Sequence, residues 1–163
     1  SLNQICARGN LSKGLLYHYY KNKDALYLSC VHVLFDDMTR YLRSEINLST
    51  VTVEQYFTVR MRFFRQHPLH RKLFSDLLLY PQNRLQQEIG KCRAEFDAFN
   101  NATLQSVLQK EPLRSQLSME EALLQFRSFV HFLGIYIRED AAFDAEQKAN
   151  DLLQTMLYGL LAR

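Results

Sequence analysis

The sequence lacks several features that carry well-known chemistry. Its five glycines form no phosphate-binding loop, and it has no nucleophile elbow and no pair of carboxylates spaced for acid–base work. Its three cysteines, Cys6, Cys30 and Cys92, are widely spaced in apolar helical stripes, which indicates buried, reduced thiols of a cytoplasmic protein. No stretch of these residues resembles a signal peptide, and we expect no membrane-spanning helix, because the sequence has no apolar run of about 18 residues. We therefore expect no enzyme, no metal site and no cofactor.

Acidic residues are absent before Asp24, and this absence is a charge pattern in itself. Three lysines and one arginine give that segment four positive charges, whereas the whole chain is only +3, so the remainder carries about one net negative charge. A basic end on a nearly neutral body is typical of a head that binds a polyanion, joined to a domain for a ligand or a partner. DNA or an anionic surface is the expected partner.

Within this basic segment the residues predict two short helices joined by a tight turn. Apolar residues at helical spacing predict a helix over 2–8, and Gly9-Asn10 ends it because both residues tolerate a left-handed backbone. Ser12 is a good N-cap for a second helix over 13–20, and Asn22 for the helix that follows. Two helices joined in this way form a helix-turn-helix, whose second helix enters the major groove of DNA.

The stretch from Ile5 to Leu26 resembles the DNA-binding signature of the TetR (tetracycline repressor) family of bacterial transcription regulators. The family pattern is Ile-Ala-x-x-Ala-Gly-Val-Ser-x-Gly-x-Leu-Tyr-x-Tyr/His-Phe-x-x-Lys-x-x-Leu. This sequence has Ile-Cys-Ala-Arg-Gly-Asn-Leu-Ser-Lys-Gly-Leu-Leu-Tyr-His-Tyr-Tyr-Lys-Asn-Lys-Asp-Ala-Leu. It departs at Asn10, where the family has a turn glycine, at Tyr20, where it has Phe, and at Leu15, where many relatives are polar. Leu15 favours apolar contact, such as with a thymine methyl group.

The resemblance implies an all-α fold and a division of labour along the chain. We expect residues 1–44 to form the DNA-binding head with its connecting helix, and residues 45–163 the ligand-binding and dimerisation domain. The family's head has one more helix before this motif, so we expect that helix to precede position 1 in the protein. The implied function is that of a bacterial transcription regulator, most simply a homodimeric repressor that a small molecule releases from a near-palindromic operator.

The resemblance and the charge pattern together predict which residues contact DNA. Tyr17, His18 and Tyr19 are expected to contact base edges or phosphates, and the lysines to contact phosphates. Leu16 and Tyr20 share one helix face and are expected to be structural, as tyrosines and leucines at helical spacing usually are. The predicted DNA-contacting set is Ser12, Lys13, Gly14, Leu15, Tyr17, His18, Tyr19, Lys21 and Lys23.

The rest of the sequence predicts helices and no strands. Pro68 and Pro81 are each expected to open a helix, and Ser118 with Glu121 three residues later predicts a capping box. The predicted helices cover residues 24–45, 53–67, 68–80, 81–109, 119–138 and 144–162.

The last two predicted helices are apolar around most of their circumference. One layer of neighbours can cover one apolar stripe, but not a helix that is apolar on most sides. They are either central to the domain or, as the resemblance implies, part of a two-fold, four-helix dimer interface. The predicted interface residues are Phe126, Phe129, Val130, Leu133, Ile137, Leu153, Met156, Leu157 and Leu160.

A ligand pocket is predicted around an arginine on an apolar helix face. Arg60 shares its face with Phe57 and Phe64, and a buried arginine needs an anion. That anion is either Glu88 or Glu95, in an internal salt bridge, or an acidic ligand, unless Arg60 instead extends its charged end to the surface and needs no anion. The predicted ligand-binding residues are Tyr56, Arg60, Phe64, Phe99, Asn100 and His131, of which His131 is more often a hydrogen-bonded core residue in such a setting.

Two other functions stay open at this point. A helical protein–protein adaptor would have a head that does not bind DNA, and its binding would be insensitive to salt. A helical enzyme that modifies a small molecule would need Arg60 or His131 for turnover.

Overall fold

The computed structural model describes the backbone of residues 2–10, 12–139 and 144–160, and the side chains of residues 3–10, 12–133 and 150–158. These residues form helices and no strand, as the all-α prediction states. A 3₁₀ helix, Asn83–Leu85, precedes the sixth α-helix. The α-helices are α1 (Leu2–Gly9), α2 (Lys13–Tyr19), α3 (Lys23–Glu45), α4 (Val53–Gln66), α5 (Pro68–Leu79), α6 (Gln86–Leu108), α7 (Met119–Glu139) and α8 (Asp144–Leu160).

The caps predicted for the helix-turn-helix are confirmed. Asn10 adopts the left-handed backbone with φ of 51°. The Ser12 side chain accepts a hydrogen bond of 3.1 Å from the backbone N–H of Leu15 at the start of α2. Asn22 accepts one of 2.8 Å from the N–H of Ala25 at the start of α3. The short turn and both helix starts are therefore set by local side chains.

The capping box at the start of α7 is also confirmed. The backbone N–H of Ser118 donates to Glu121 Oε2 at 2.9 Å, and the N–H of Glu121 donates to Ser118 Oγ at 3.2 Å. The hydrogen bond from the Ser118 N–H, together with one of 2.7 Å from the Ser118 hydroxyl to the same oxygen, lowers the pKa of Glu121 below its ordinary value, because both favour the charged carboxylate.

The prediction that Pro81 opens a helix is wrong. α6 begins at Gln86, and a 3₁₀ turn closed by the hydrogen bond from Leu85 N to Gln82 O (2.8 Å) lies before it. The turn brings Leu85 into the core, where its side chain is 8% exposed. A helix that began at Pro81 would include these residues, so it is incompatible with the 3₁₀ turn that they form.

α3 is the central helix of the body. It packs against α4, α5 and α6, while α7 packs against α5 and α6, and α8 against α7 and α4. Val31, Leu34, Met38 and Leu42 of α3 are each at most 1% exposed. The middle and the end of α3 thus pack within the body, whereas its start lies next to the head.

The prediction of buried cysteines is confirmed for one of the three, holds in part for the second and is wrong for the third. Cys6 is buried and Cys92 is half-buried, but Cys30 is exposed. Position 30 lies next to the buried stripe that begins at Val31, and one residue along a helix turns the side chain by about 100°.

The predicted dimer interface is corrected for four of its residues. They are at most 3% exposed within the single chain, because α5 and α6 cover α7, and α7 and α4 cover α8. Their contacts belong to the chain's own core, so they are not available to a second copy. These residues are Phe126, Leu133, Leu153 and Leu157.

The remaining predicted interface residues have other positions. Phe129, Val130 and Met156 are half-buried and pack against the core. The side chains of Ile137 and Leu160 lie outside the described residues. No helix within the described part of the chain is long and apolar enough to cross a membrane.

Candidate DNA-binding surface and internal cavity

α2 has one buried side chain, that of Leu16, and a broad exposed face. Leu16 is 5% exposed, so its side chain is covered by other parts of the chain. The Tyr20 hydroxyl, which needs a partner that a phenylalanine would not, lies 3.3 Å from Ser29 Oγ of α3. All nine residues predicted to contact DNA are exposed. We call these nine residues, Ser12, Lys13, Gly14, Leu15, Tyr17, His18, Tyr19, Lys21 and Lys23, the recognition surface.

The recognition surface exposes apolar and aromatic area beside its charges. Leu15 is 46% exposed, Tyr17 51% and Tyr19 70%. The rings of His18 and Tyr19 meet edge to face, with centroids 5.2 Å apart. Exposed rings grouped among lysines are suited to a partner that offers both base edges and phosphates.

Gly14 lies on the open side of α2. A Cβ built at this position has no described atom within 4 Å, and its φ is not in the left-handed region. Among the described residues of the head, neither packing nor backbone geometry therefore requires a glycine here. The lack of a side chain leaves room for a partner to approach the backbone.

The first acidic residue of the sequence does not leave a free negative charge beside this surface. Asp24 is bound by Arg84, whose Nη2 donates to Asp24 Oδ1 at 2.6 Å and whose Nη1 donates to Oδ2. The hydrogen bonds from Arg84 lower the pKa of Asp24 below its ordinary value. Sequence reasoning missed this arginine, because it lies sixty residues away in the 3₁₀ helix.

The predicted internal salt bridge of Arg60 is wrong. Glu95 is paired with Arg43, with 2.5 Å between Oε1 and Nη1, and Glu88 is exposed. Arg60 is only 4% exposed, and its Nη1 donates to the Tyr56 hydroxyl at 2.7 Å and to Asn100 Oδ1 at 2.9 Å. The glutamates lie on faces of α6 that do not reach this arginine.

Three of the six predicted ligand residues line one cavity of about 290 Å³: Arg60, Asn100 and His131. His131 is exposed, so the expectation of a core histidine does not hold. Tyr56 lies behind Arg60, to which its hydroxyl is bound.

The other two predicted ligand residues are placed differently. Phe64 borders a small void next to Arg60. The ring of Phe99 lies 5.4 Å from the Arg43 guanidinium and does not line the cavity.

Sequence reasoning missed the charged residues that complete this cavity. Arg93 and Asp97 of α6 form an ion pair through hydrogen bonds of 2.8 and 2.9 Å, and both line the cavity, as does Arg127 of α7. An arginine four residues from an aspartate is usual on a solvated helix surface. The available signal was that Arg93, Asp97 and Asn100 share one side of α6.

The sequence comparisons concern the segment that carries the recognition surface. A family model described as "Bacterial regulatory proteins, tetR family" matches residues 1–30. No curated protein and no solved structure gives a match to the chain. The matched residues include the whole recognition surface and the start of α3. The first 30 residues of the chain are therefore similar to the tetR family of bacterial regulatory proteins.

Proposed function

We propose that the chain is a ligand-responsive transcription regulator, which binds a near-palindromic DNA operator as a homodimer and represses transcription until a small molecule releases it. It acts by binding and not by catalysis, and its place of action is the cytoplasm. Residues 1–44 form the DNA-binding head with its connecting helix, and residues 45–163 bind the ligand and the second copy.

The observation that carries the proposal is the exposure of the whole recognition surface on the matched segment. Apolar side chains of α2 other than Leu16 have no role in covering a core, since Leu15, Tyr17 and Tyr19 are about half exposed or more. Lys13, Lys21 and Lys23 are exposed and no carboxylate precedes Asp24. Base edges would meet the rings and phosphates the lysines, as in the second helix of a helix-turn-helix.

A second copy is needed for two half-sites, and the exposed side of α7 and α8 offers a surface for it. Leu124 is 63% exposed and Phe132, two turns later on the same face of α7, is 49% exposed. Tyr158 of the neighbouring α8 is 70% exposed. In the proposed four-helix interface, this apolar surface takes the place of the four predicted interface residues that lie in the core of the single chain.

Release by a ligand follows from linkage. A ligand that binds better to the form of the body in which the two heads are wrongly spaced weakens operator binding by the same factor. α3 is the mechanical connection, because it begins beside the recognition surface and packs against α4, α5 and α6.

The test is a salt titration of DNA binding with protein expressed from its complete gene. The probe is the promoter DNA upstream of that gene, followed by fluorescence anisotropy, with a scrambled duplex of the same length as a reference. We expect tight binding that falls steeply with salt and protects a near-palindrome. Tyr17→Ala and His18→Ala are each expected to weaken binding by about ten-fold or more, since each removes a contact to a base or a phosphate.

The matched control is Tyr80→Ala, because Tyr80 is 57% exposed and lies at the end of α5, outside the head. It is expected to leave DNA affinity unchanged. Circular dichroism shows whether each variant is folded. Weak binding that is equal for promoter and scrambled DNA, or full affinity in Tyr17→Ala, would overturn the proposal in favour of a protein-binding adaptor.

A further inference from the structure

The cavity between α4, α5, α6 and α7 contains a buried positive charge with neutral partners. Arg60 is 4% exposed, and its hydrogen bonds go to the Tyr56 hydroxyl and to the side-chain carbonyl of Asn100. Its guanidinium also lies 5.4 to 5.9 Å from the ring centres of Tyr56, Phe74 and Phe96. None of these contacts is a counter-ion. Because rings and neutral oxygens stabilise a cation only in part, they leave the charge of Arg60 incompletely compensated.

Tyr56 does not supply that counter-ion. Burial raises the pKa of its phenol above the ordinary value, although Arg60 beside it acts in the opposite direction. The phenol is therefore uncharged at neutral pH, and it donates its own proton to Asn100 Oδ1. Tyr56 and Asn100 thus form a neutral support that holds one side of the guanidinium.

The other charged residues that line the cavity add to its net positive charge. Among the described residues that line it, the one carboxylate is that of Asp97, and Arg93 already binds both of its oxygens, at 2.8 and 2.9 Å. Arg127 and His131 line the same cavity, one turn apart on α7. Among the described lining residues, Arg60 and Arg127 therefore have no carboxylate to pair with.

The geometry of Arg60 leaves donors for an anion. Both of its hydrogen bonds to the described residues come from Nη1, so Nε and Nη2 are available on the guanidinium edge. A planar guanidinium binds a carboxylate or a phosphate through two parallel N–H···O bonds. The edge of Arg60 is thus prepared for a bidentate anionic group.

The same cavity also offers apolar contacts and further space. Phe74, Leu78 and Phe96 line it, together with Leu104 and Val130. A second cavity of about 350 Å³ shares Phe74, Leu78, Arg93 and Asp97 with the first. An apolar body attached to the anionic group would therefore find both contacts and room.

We propose that this cavity binds a compact organic anion, whose carboxylate or phosphate pairs with Arg60 and whose apolar body packs on Phe74 and Leu78. The inference rests on the proposed function in one respect only, namely that this anion is the small molecule which changes DNA affinity. Binding of the anion itself requires no DNA.

The experiment is calorimetric titration of the DNA-free protein with acids and their neutral counterparts. Benzoate is compared with benzamide, octanoate with 1-octanol, and phenyl phosphate with benzoate. We expect saturable binding of at least one acid, with about 10-fold to 100-fold weaker binding of its neutral counterpart, as the loss of a charged hydrogen-bonded pair implies. The comparison of phenyl phosphate with benzoate identifies the preferred anionic group.

Arg60→Met is expected to reduce the affinity for the acid to that for the neutral counterpart. It removes the charge and keeps the apolar contacts, while Tyr56 and Asn100 still bind each other. Its melting temperature without ligand is expected to equal or exceed that of the unmodified protein, because replacing an uncompensated buried charge by an apolar side chain removes a desolvation penalty. Arg60→Lys, which keeps the charge but not the planar fork, is expected to bind the acid with intermediate affinity.

The matched control is Arg62→Met, two residues along α4, since Arg62 is 40% exposed and pairs with Glu45 at 3.1 Å outside the cavity. Its affinity for the acid should be unchanged. No binding of any acid, equal binding of acid and neutral counterpart, or full acid affinity in Arg60→Met would overturn the inference. If the acid binds but leaves promoter affinity unchanged, the anion site stands and ligand-responsive regulation fails. If the protein binds the promoter specifically but binds none of the acids, the DNA-binding function stands and the anion site is overturned.

Discussion

Arg84 joins the 3₁₀ helix before α6 to the first turn of α3, where its guanidinium binds both oxygens of the Asp24 carboxylate. The residues just before it, Gln82 and Asn83, line the second cavity. The residue just before Asp24 is Lys23, the last member of the recognition surface. One ion pair therefore connects the edge of the cavities to the edge of the DNA-binding head.

The first prediction concerns the ionisation of Asp24. Since the hydrogen bonds from Arg84 lower the pKa of this carboxyl, Arg84→Gln should raise it towards its ordinary value. Carboxyl ¹³C NMR of Asp24 during a pH titration measures the change. Arg43→Gln is the control, because Arg43 pairs with Glu95 and not with Asp24. An Asp24 titration identical in Arg84→Gln and the unmodified protein would contradict the pairing.

The same ion pair has a consequence for stability with a definite sign. A carboxyl whose pKa is lower in the folded than in the unfolded state stabilises the fold at pH values above its unfolded pKa, and this contribution is lost as the pH falls through the folded pKa. The difference in urea midpoint between the unmodified protein and Arg84→Gln should therefore be present at neutral pH and shrink in acid.

The second prediction concerns the electrostatic share of DNA binding. Lys23→Ala should reduce the slope of log affinity against log salt by about one unit for each copy of the chain that binds, because the proposed phosphate contact of Lys23 is lost together with the counter-ion release that accompanies it. The loss should be similar for promoter and scrambled DNA. Lys91→Ala, an exposed lysine on α6, should leave the slope unchanged. A slope unaltered by Lys23→Ala would exclude this side chain from the phosphate contacts.

The third prediction separates stability from function at Gly14. Because a Cβ at this position meets no described atom within 4 Å, Gly14→Ala should not disturb packing. Alanine in a helix is favoured over glycine by about 0.5–1 kcal/mol, so the free energy of unfolding should rise or stay level. DNA affinity should nevertheless fall, because the methyl group occupies space next to the backbone on the side that we propose faces DNA. Unfolding in urea and DNA titration of the same preparation measure the two effects, and unchanged affinity would mean that DNA does not approach here.

Local sequence signals predicted helix starts and turns better than contacts between helices. Ser12, Asn22 and the Ser118–Glu121 box were predictable, because a cap depends on side chains within three residues of the backbone they bind. The left-handed Asn10 was predictable for the same reason.

The contacts that the sequence did not predict all depend on which helix faces which. Arg60 carried a detectable signal, since a charge on an apolar face needs compensation, but the choice between a glutamate and a ligand required the rotation of α6. Arg84 and Arg127 have ordinary positions in the sequence, and only the packing of the helices brings them to Asp24 and the cavity. Phe126 and Leu157 looked equally suited to a core and to an interface, because burial inside one chain and burial between two chains demand the same apolar side chains.

The last prediction tests the surface proposed for the second copy. Leu124 and Phe132 lie on one exposed face of α7, so the double substitution Leu124→Glu with Phe132→Glu should place two charges in the proposed interface without touching the core. Sedimentation equilibrium should show a dimer for the unmodified protein and a monomer for the double variant, with the same helix content by circular dichroism. Leu69→Glu is the control, because Leu69 of α5 is 79% exposed and lies outside this face; it should remain dimeric. Buried like charges are costly in an interface, so a double variant that is still fully dimeric would show that the two copies meet elsewhere.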